Sequence, residues 1–133
     1  MEAHMLGVWN TYAAEYLLVV AVGTLLLFGI PLLIMPIRWA KVLGWQIPDH
    51  TDLAVYFGRC LGGVICVMGI LAFTASSSPA TQKFFFNLII GNFIVMIVIH
   101  VYGAVKKIQP VSETYEIIYW VLMLILNLLF YPA

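Results

Sequence analysis

Residues 12–35 read YAAEYLLVVAVGTLLLFGIPLLIM, a run in which Glu15 is the only charged side chain. About 20 mostly apolar residues are enough for a helix to cross the ~30 Å hydrocarbon core of a bilayer. The apolar residues are consecutive and do not alternate with polar ones, which argues against a membrane-spanning β-strand. Because a helix satisfies its own backbone hydrogen bonds without water, this stretch predicts a transmembrane helix.

Three further stretches have the same character, at about residues 53–73, 83–103 and 113–131. Of the 133 residues, 64% are hydrophobic and only 9% are Asp, Glu, Lys or Arg. An average soluble domain is roughly half apolar and about a quarter charged. The predicted fold is therefore an all-α integral membrane protein, in which residues 1–133 form a single bundle of four transmembrane helices with short loops.

The connections between the predicted helices contain residues typical of helix ends. Residues 37–45 (IRWAKVLGW) mix tryptophans with basic residues, which predicts a short interfacial helix between helices 1 and 2 that stops at Gly44. Ser78 and Pro79 predict the start of helix 3. Ser112 is the predicted N-cap of helix 4, and Glu113 in its first turn is favoured by the helix dipole.

The basic residues predict how the bundle is oriented. Arg38, Lys41, Lys106 and Lys107 lie in the connections after helices 1 and 3, whereas Lys83 is the basic residue near the opposite ends. Because basic loops stay in the cytoplasm, we expect both termini on the non-cytoplasmic side of a bacterial inner membrane or its equivalent. The net charge of zero excludes nucleic acid as an expected partner.

Five polar side chains are predicted to lie at one depth near the cytoplasmic side. Asp52, Tyr56 and Arg59 share one face of helix 2, His100 lies near the end of helix 3, and Glu116 lies one turn into helix 4. Ionisable residues inside a membrane are costly and mark functional sites. One interpretation is a pocket in which Arg59 holds a carbonyl, phosphate or carboxylate, and His100 and Glu116 contact the ligand or carry protons. The other is structural, with Arg59 paired to a carboxylate or reaching the headgroups.

No metal site, catalytic residue or cofactor is predicted within the chain. His100 is an alternative ligand for haem iron or chlorophyll magnesium, but a two-histidine haem site needs a partner at the same depth. His50 lies in the neighbouring loop. Cys60 and Cys66 lie on different faces of helix 2, so a metal pair or a disulfide is disfavoured. The sequence leaves open whether the chain binds lipid or quinone.

The glycines of helix 2 form a second pattern, which indicates close helix packing. Gly58 and Gly62 form a G-x-x-x-G face, continued by Gly63, which allows close packing either within the bundle or with another subunit. With Arg59 followed by these glycines and Gly69, the chain resembles in outline the small DoxX-like four-helix membrane proteins. Some members of that family are described as membrane subunits of quinone-linked oxidoreductases. The resemblance implies a four-helix fold and such a setting, and it supplies no catalytic residue.

Two functions are predicted, and a third ranks below them. The favoured one is a non-catalytic accessory or structural subunit of a larger membrane complex, redox- or quinone-linked, that stabilises its neighbours and holds lipid or quinone. Its partners would be membrane lipids and other membrane subunits. The alternative is a free-standing lipid-, isoprenoid- or quinone-binding protein, or a small membrane enzyme, that uses a pocket at Arg59, His100 and Glu116. A transporter protomer is disfavoured because no span carries a row of polar residues.

Overall fold

The computed structural model describes residues 6–133, and this part of the chain is all-helical. Four helices are long and apolar enough to cross a membrane, which suggests a membrane protein: α1 (Asn10–Ile34), α3 (Asp52–Ala75), α4 (Pro79–Lys106) and α5 (Val111–Leu129). A short helix, α2 (Pro36–Val42), connects α1 to α3. The four long helices and the short helix after the first are therefore confirmed.

Helix α1 is irregular in its second half. At Leu25–Gly29 it widens into a π-helical turn, and the N–H of Ile30 donates to the carbonyl of Leu25. The irregularity falls just before Pro31, which has no N–H to donate to the fourth residue before it. The widened turn carries Phe28, which lines the cavity described below.

The helix starts agree in part with the sequence predictions. Helix α4 begins at Pro79 directly after Ser78, as predicted. The prediction that Ser112 caps the last helix is wrong, because α5 begins at Val111 with Pro110 in the capping position. The Ser112 hydroxyl instead donates to the carbonyl of Leu43. This contact joins the connection after α2 to the start of α5.

Helix α3 packs against α1 through its glycines. A Cβ atom added to Gly62 would lie 2.8 Å from the carbonyl carbon of Leu32 and 2.9 Å from the carbonyl oxygen of Gly29. One added to Gly58 would lie 2.7 Å from the Cβ of Pro36. Gly63 has more room, since its nearest contact would be 3.9 Å away. The G-x-x-x-G face is therefore used inside the chain.

Aromatic residues close one end of the bundle. The rings of Tyr16 and Phe130 stack with their centroids 4.6 Å apart, and the fully buried Phe86 lies against Tyr16. The buried Asn127 side chain donates to the carbonyl of Phe86 at 3.2 Å, which links α5 to α4. The N–H of Trp9 donates to the carbonyl of Leu129 at 2.8 Å. We call this the closed end, and the cavity lies toward the other end.

Candidate functional site

A cavity of about 340 Å³ lies between the four long helices, and α2 with the segment that follows it also contributes to its wall. This volume falls within the range of small-molecule binding sites, roughly 300–1,000 Å³. The body of the cavity is apolar, with Phe28 from α1, Met68 from α3, Phe93 from α4 and Met123 from α5. Methionine side chains are flexible and adapt to ligands of different shape.

The exposed residues among those lining the cavity indicate a sideways opening between α3 and α4, and Trp45 after α2 is exposed as well. Leu61 and Val64 of α3 and Asn92 of α4 line it and are nevertheless exposed. Val64 lies twelve residues after Asp52, or ~18 Å along the helix at 1.5 Å per residue, which is near the middle of α3. Helices α3 and α4 are held together at the turn that joins them, where Gln82 donates to the carbonyl of Ser76. The opening therefore lies at mid-height on the side of the bundle.

The polar end of the cavity holds one histidine and two glutamates. His100 Nε2 lies 3.0 Å from Glu113 Oε2 and 3.6 Å from Glu116 Oε2. His100 Nδ1 lies 2.7 Å from the carbonyl oxygen of Met96, one turn earlier in α4. A carbonyl has no hydrogen to give, so Nδ1 must be the donor, and this bond turns Nε2 toward the carboxylates. We call His100, Glu113 and Glu116 the acidic cluster.

Tryptophans surround the acidic cluster. The indole N–H of Trp45 donates to Glu113 Oε1 at 2.7 Å, which leaves Oε2 facing His100. The N–H of Trp120 lies 3.4 Å from His100 Nε2. Trp39 lines the same cavity, and its buried N–H has no partner within residues 6–133. Since no Lys or Arg lines the cavity in the described part of the chain, its polar end is acidic.

The structure brings together two of the five residues that the sequence predicts for a pocket. His100 and Glu116 meet in the acidic cluster. Asp52, Tyr56 and Arg59 instead line a shallow groove on the exposed side of α3, outside the cavity. Depth along the helices was predicted well enough to pair His100 with Glu116. The rotation of α3 was not, because its glycines turn toward α1 and place the Arg59 face outward.

Sequence reasoning missed Glu113 as a site residue. We interpreted Glu113 only as a favourable charge at the start of a helix. Its spacing contains a further signal, since Glu113, Glu116 and Trp120 occur at i, i+3 and i+7 and so share one face of α5. The contribution of Trp45 depends on how the connection after α2 folds back onto α5, and no local pattern reveals it.

Comparison of the chain with protein-family models, with curated proteins and with solved structures gives no match. The resemblance to the DoxX-like proteins therefore stays a prediction.

Proposed function

We propose that the protein binds a small amphipathic lipophile of the isoprenoid class, such as a prenyl alcohol or a quinol, in the cavity between its helices. The observation that carries the proposal is the shape of this cavity. It has an apolar body, a sideways opening at mid-height, and a single polar end at the acidic cluster. Such a site fits a molecule with a hydrocarbon body and one polar group.

The sideways opening favours a ligand that comes from the bilayer. If the four long helices span a membrane, the middle of α3 and α4 lies in the hydrocarbon region. A lipophile dissolved there reaches the opening between Val64 and Asn92 without crossing water. A water-soluble ligand would have to leave its hydration shell first, which costs free energy.

The chemistry of the polar end favours a ligand that donates a hydrogen bond. Ionised carboxylates only accept hydrogen bonds, and Glu113 and Glu116 both line the cavity. A hydroxyl group can donate to a carboxylate and can also accept a hydrogen bond, and the cavity is lined by the Trp39 N–H, which has no acceptor among the described residues. A ligand with a negatively charged headgroup is disfavoured, because no Lys or Arg lines this cavity in the described chain.

The accessory-subunit hypothesis remains a prediction. One contact surface that the sequence left open for another subunit was the face formed by Gly58 and Gly62, and that face is packed against α1 and Pro36. The apolar side chains exposed on all four long helices suit lipid as well as another subunit. Binding of a lipophile is compatible with either setting.

The proposal is tested by measuring what co-purifies with the chain in a mild detergent. Organic extracts of the purified protein are analysed by mass spectrometry, and each lipophile is expressed per mole of protein. We expect one class of isoprenoid to be enriched over the membrane extract. His100→Leu and Glu116→Gln should lower its occupancy about tenfold, because losing a hydrogen bond to a charged group costs about 1.5 kcal/mol at the lower end of its usual range.

Arg59→Leu is the matched control, because Arg59 is an intramembrane charge that lies outside the cavity. We expect it to leave the occupancy unchanged. If the extract contains only bulk lipid, or if Arg59→Leu removes the lipophile while His100→Leu does not, the proposed site is wrong. Circular dichroism and gel filtration show whether each variant keeps its fold.

A further inference from the structure

Three possible metal-ligand atoms converge in the acidic cluster. His100, Glu113 and Glu116 each offer one ligand atom, and these three atoms lie within 4.8 Å of one another. They come from two helices, because His100 is on α4 and both glutamates are on α5. His100 is 5% exposed, and the side chains of Glu113 and Glu116 are 12% and 21% exposed. The three atoms therefore lie largely out of solvent.

The hydrogen bonds among the described residues leave room for a further proton or ion between these three atoms. Because Nδ1 carries the proton that is donated to Met96, Nε2 of a neutral His100 presents a lone pair to the two carboxylates. The donor that reaches Nε2 is the Trp120 N–H, at a long 3.4 Å. Three electron-rich atoms at such distances repel one another unless a proton or a cation lies between them.

The two distances from His100 Nε2 match those between ligands around a metal ion. Ions such as Zn²⁺ bind imidazole nitrogen and carboxylate oxygen at about 2.0–2.2 Å, so two ligands at a tetrahedral angle lie roughly 3.4 Å apart. The observed separations of 3.0 Å and 3.6 Å from Nε2 lie on either side of this value. A single proton on Nε2 would favour the shorter contact to Glu113 over the longer one to Glu116.

The surrounding contacts are those of a supported metal site. Metal-bound histidines usually donate their other ring N–H to a carbonyl or carboxylate, which fixes the tautomer and the ring orientation. His100 does so toward the Met96 carbonyl. Ligating carboxylates are hydrogen-bonded in turn, and Trp45 donates to the Glu113 oxygen that faces away from His100. Two of the three ligands are thus held from outside the cluster.

We propose that His100, Glu113 and Glu116 bind one divalent first-row transition-metal ion, with Zn²⁺ and Mn²⁺ as representative ions. One nitrogen and two oxygen ligands suit this class of ion. Three protein ligands leave at least one coordination position free, as in catalytic metal sites, and the cluster lines the cavity. The inference goes beyond lipophile binding and does not depend on it, because all three ligands belong to this chain.

The test is a titration of the detergent-solubilised protein with Co²⁺ after treatment with a chelator. Co²⁺ replaces Zn²⁺ in such sites and reports on its ligands through its visible absorption bands. We expect one Co²⁺ per chain and displacement by Zn²⁺. Glu113→Gln, Glu116→Gln and His100→Gln should each weaken binding at least a hundredfold, and Trp45→Phe about tenfold, as outer contacts of metal sites do.

His50→Gln and Glu15→Gln are matched controls, since both residues are exposed and lie outside the cluster. We expect both to bind Co²⁺ like the unchanged protein. A wild-type spectrum that does not saturate, or equal binding by Glu116→Gln and the wild type, would overturn the metal site. Mass spectrometry of the same preparations separates the two proposals, because metal without lipophile, or lipophile without metal, contradicts only one of them.

Discussion

Gly62→Leu is expected to destabilise the bundle by about 3 kcal/mol or more, at the upper end of the usual cost of overpacking. Even a Cβ at this position would lie within 3 Å of the carbonyl carbon of Leu32 and the carbonyl oxygen of Gly29. These are backbone atoms of α1, which cannot rotate away as a side chain can. Helices in a membrane associate through such close contacts, so forcing α1 and α3 apart removes their main attraction.

Gly63→Leu is the control for this prediction. It introduces the same side chain at the next position of α3, where the nearest atom to an added Cβ is Leu33 Cδ1 at 3.9 Å. The measurement is the loss of helical signal with increasing denaturing detergent for both variants and the wild type. Equal midpoints for Gly62→Leu and the wild type would show that α3 does not pack on α1 through its glycines.

Val64→Trp is expected to lower the amount of bound lipophile more than tenfold. Val64 lines the cavity at its sideways opening, and an indole ring there takes up cavity volume that the ligand needs. The effect should exceed that of removing one polar contact, because the ring excludes the hydrocarbon body of the ligand instead of weakening one hydrogen bond. The measurement is the lipophile content per mole of purified protein.

Val67→Trp is a closely matched control. Both valines lie on α3 and are 58% exposed, but Val67 does not line the cavity. Both variants should keep the stability of the wild type, since the new ring lies on an exposed position in each. If Val67→Trp lowers the lipophile content as much as Val64→Trp does, the ligand binds on the outer surface of α3 and not inside the bundle.

The helices of this fold were predictable because a sequence that suits a bilayer is strongly constrained. Long apolar runs without alternation indicate transmembrane helices, and the prolines and glycines between them mark where helices end. The same constraint hides how the helices pack. Exposed and core-facing positions are both apolar here, so no pattern showed that Phe86 is fully buried while Phe84, two residues earlier, is 71% exposed.

The sequence predicted how deep the site residues lie along their helices, but not on which side of its helix each residue lies. His100 and Glu116 were placed at the same level by counting residues along two antiparallel helices, and the structure brings them together. Arg59 satisfies the same count, yet it lies on the outer side of α3 because Gly58 and Gly62 occupy the side that meets Pro36 and α1. The glycines indicated this rotation of α3, because a helix face that packs closely cannot also carry a side chain as long as that of arginine.

Glu113 illustrates a different reason for failure. A glutamate in the first turn of a helix has a sufficient local explanation in the helix dipole, and that explanation concealed a second role. Its partners are His100, thirteen residues earlier, and Trp45, far away in sequence. Such long-range contacts emerge only when the connection after α2 is seen to fold onto the start of α5.

The central claim is that a lipophile binds inside the bundle, and the methionine methyl groups test it most directly. Met68, Met96 and Met123 line the cavity from three different helices, whereas Met35 lies outside it and is exposed. The protein is labelled with ¹³C at the methionine methyl groups and titrated with farnesol, a prenyl alcohol, while nuclear magnetic resonance spectra are recorded.

We predict saturable shifts of the Met68, Met96 and Met123 signals and no change at Met35. Shifts that grow without saturation and affect Met35 equally would contradict the claim, because they would show only that farnesol dissolves in the surrounding detergent.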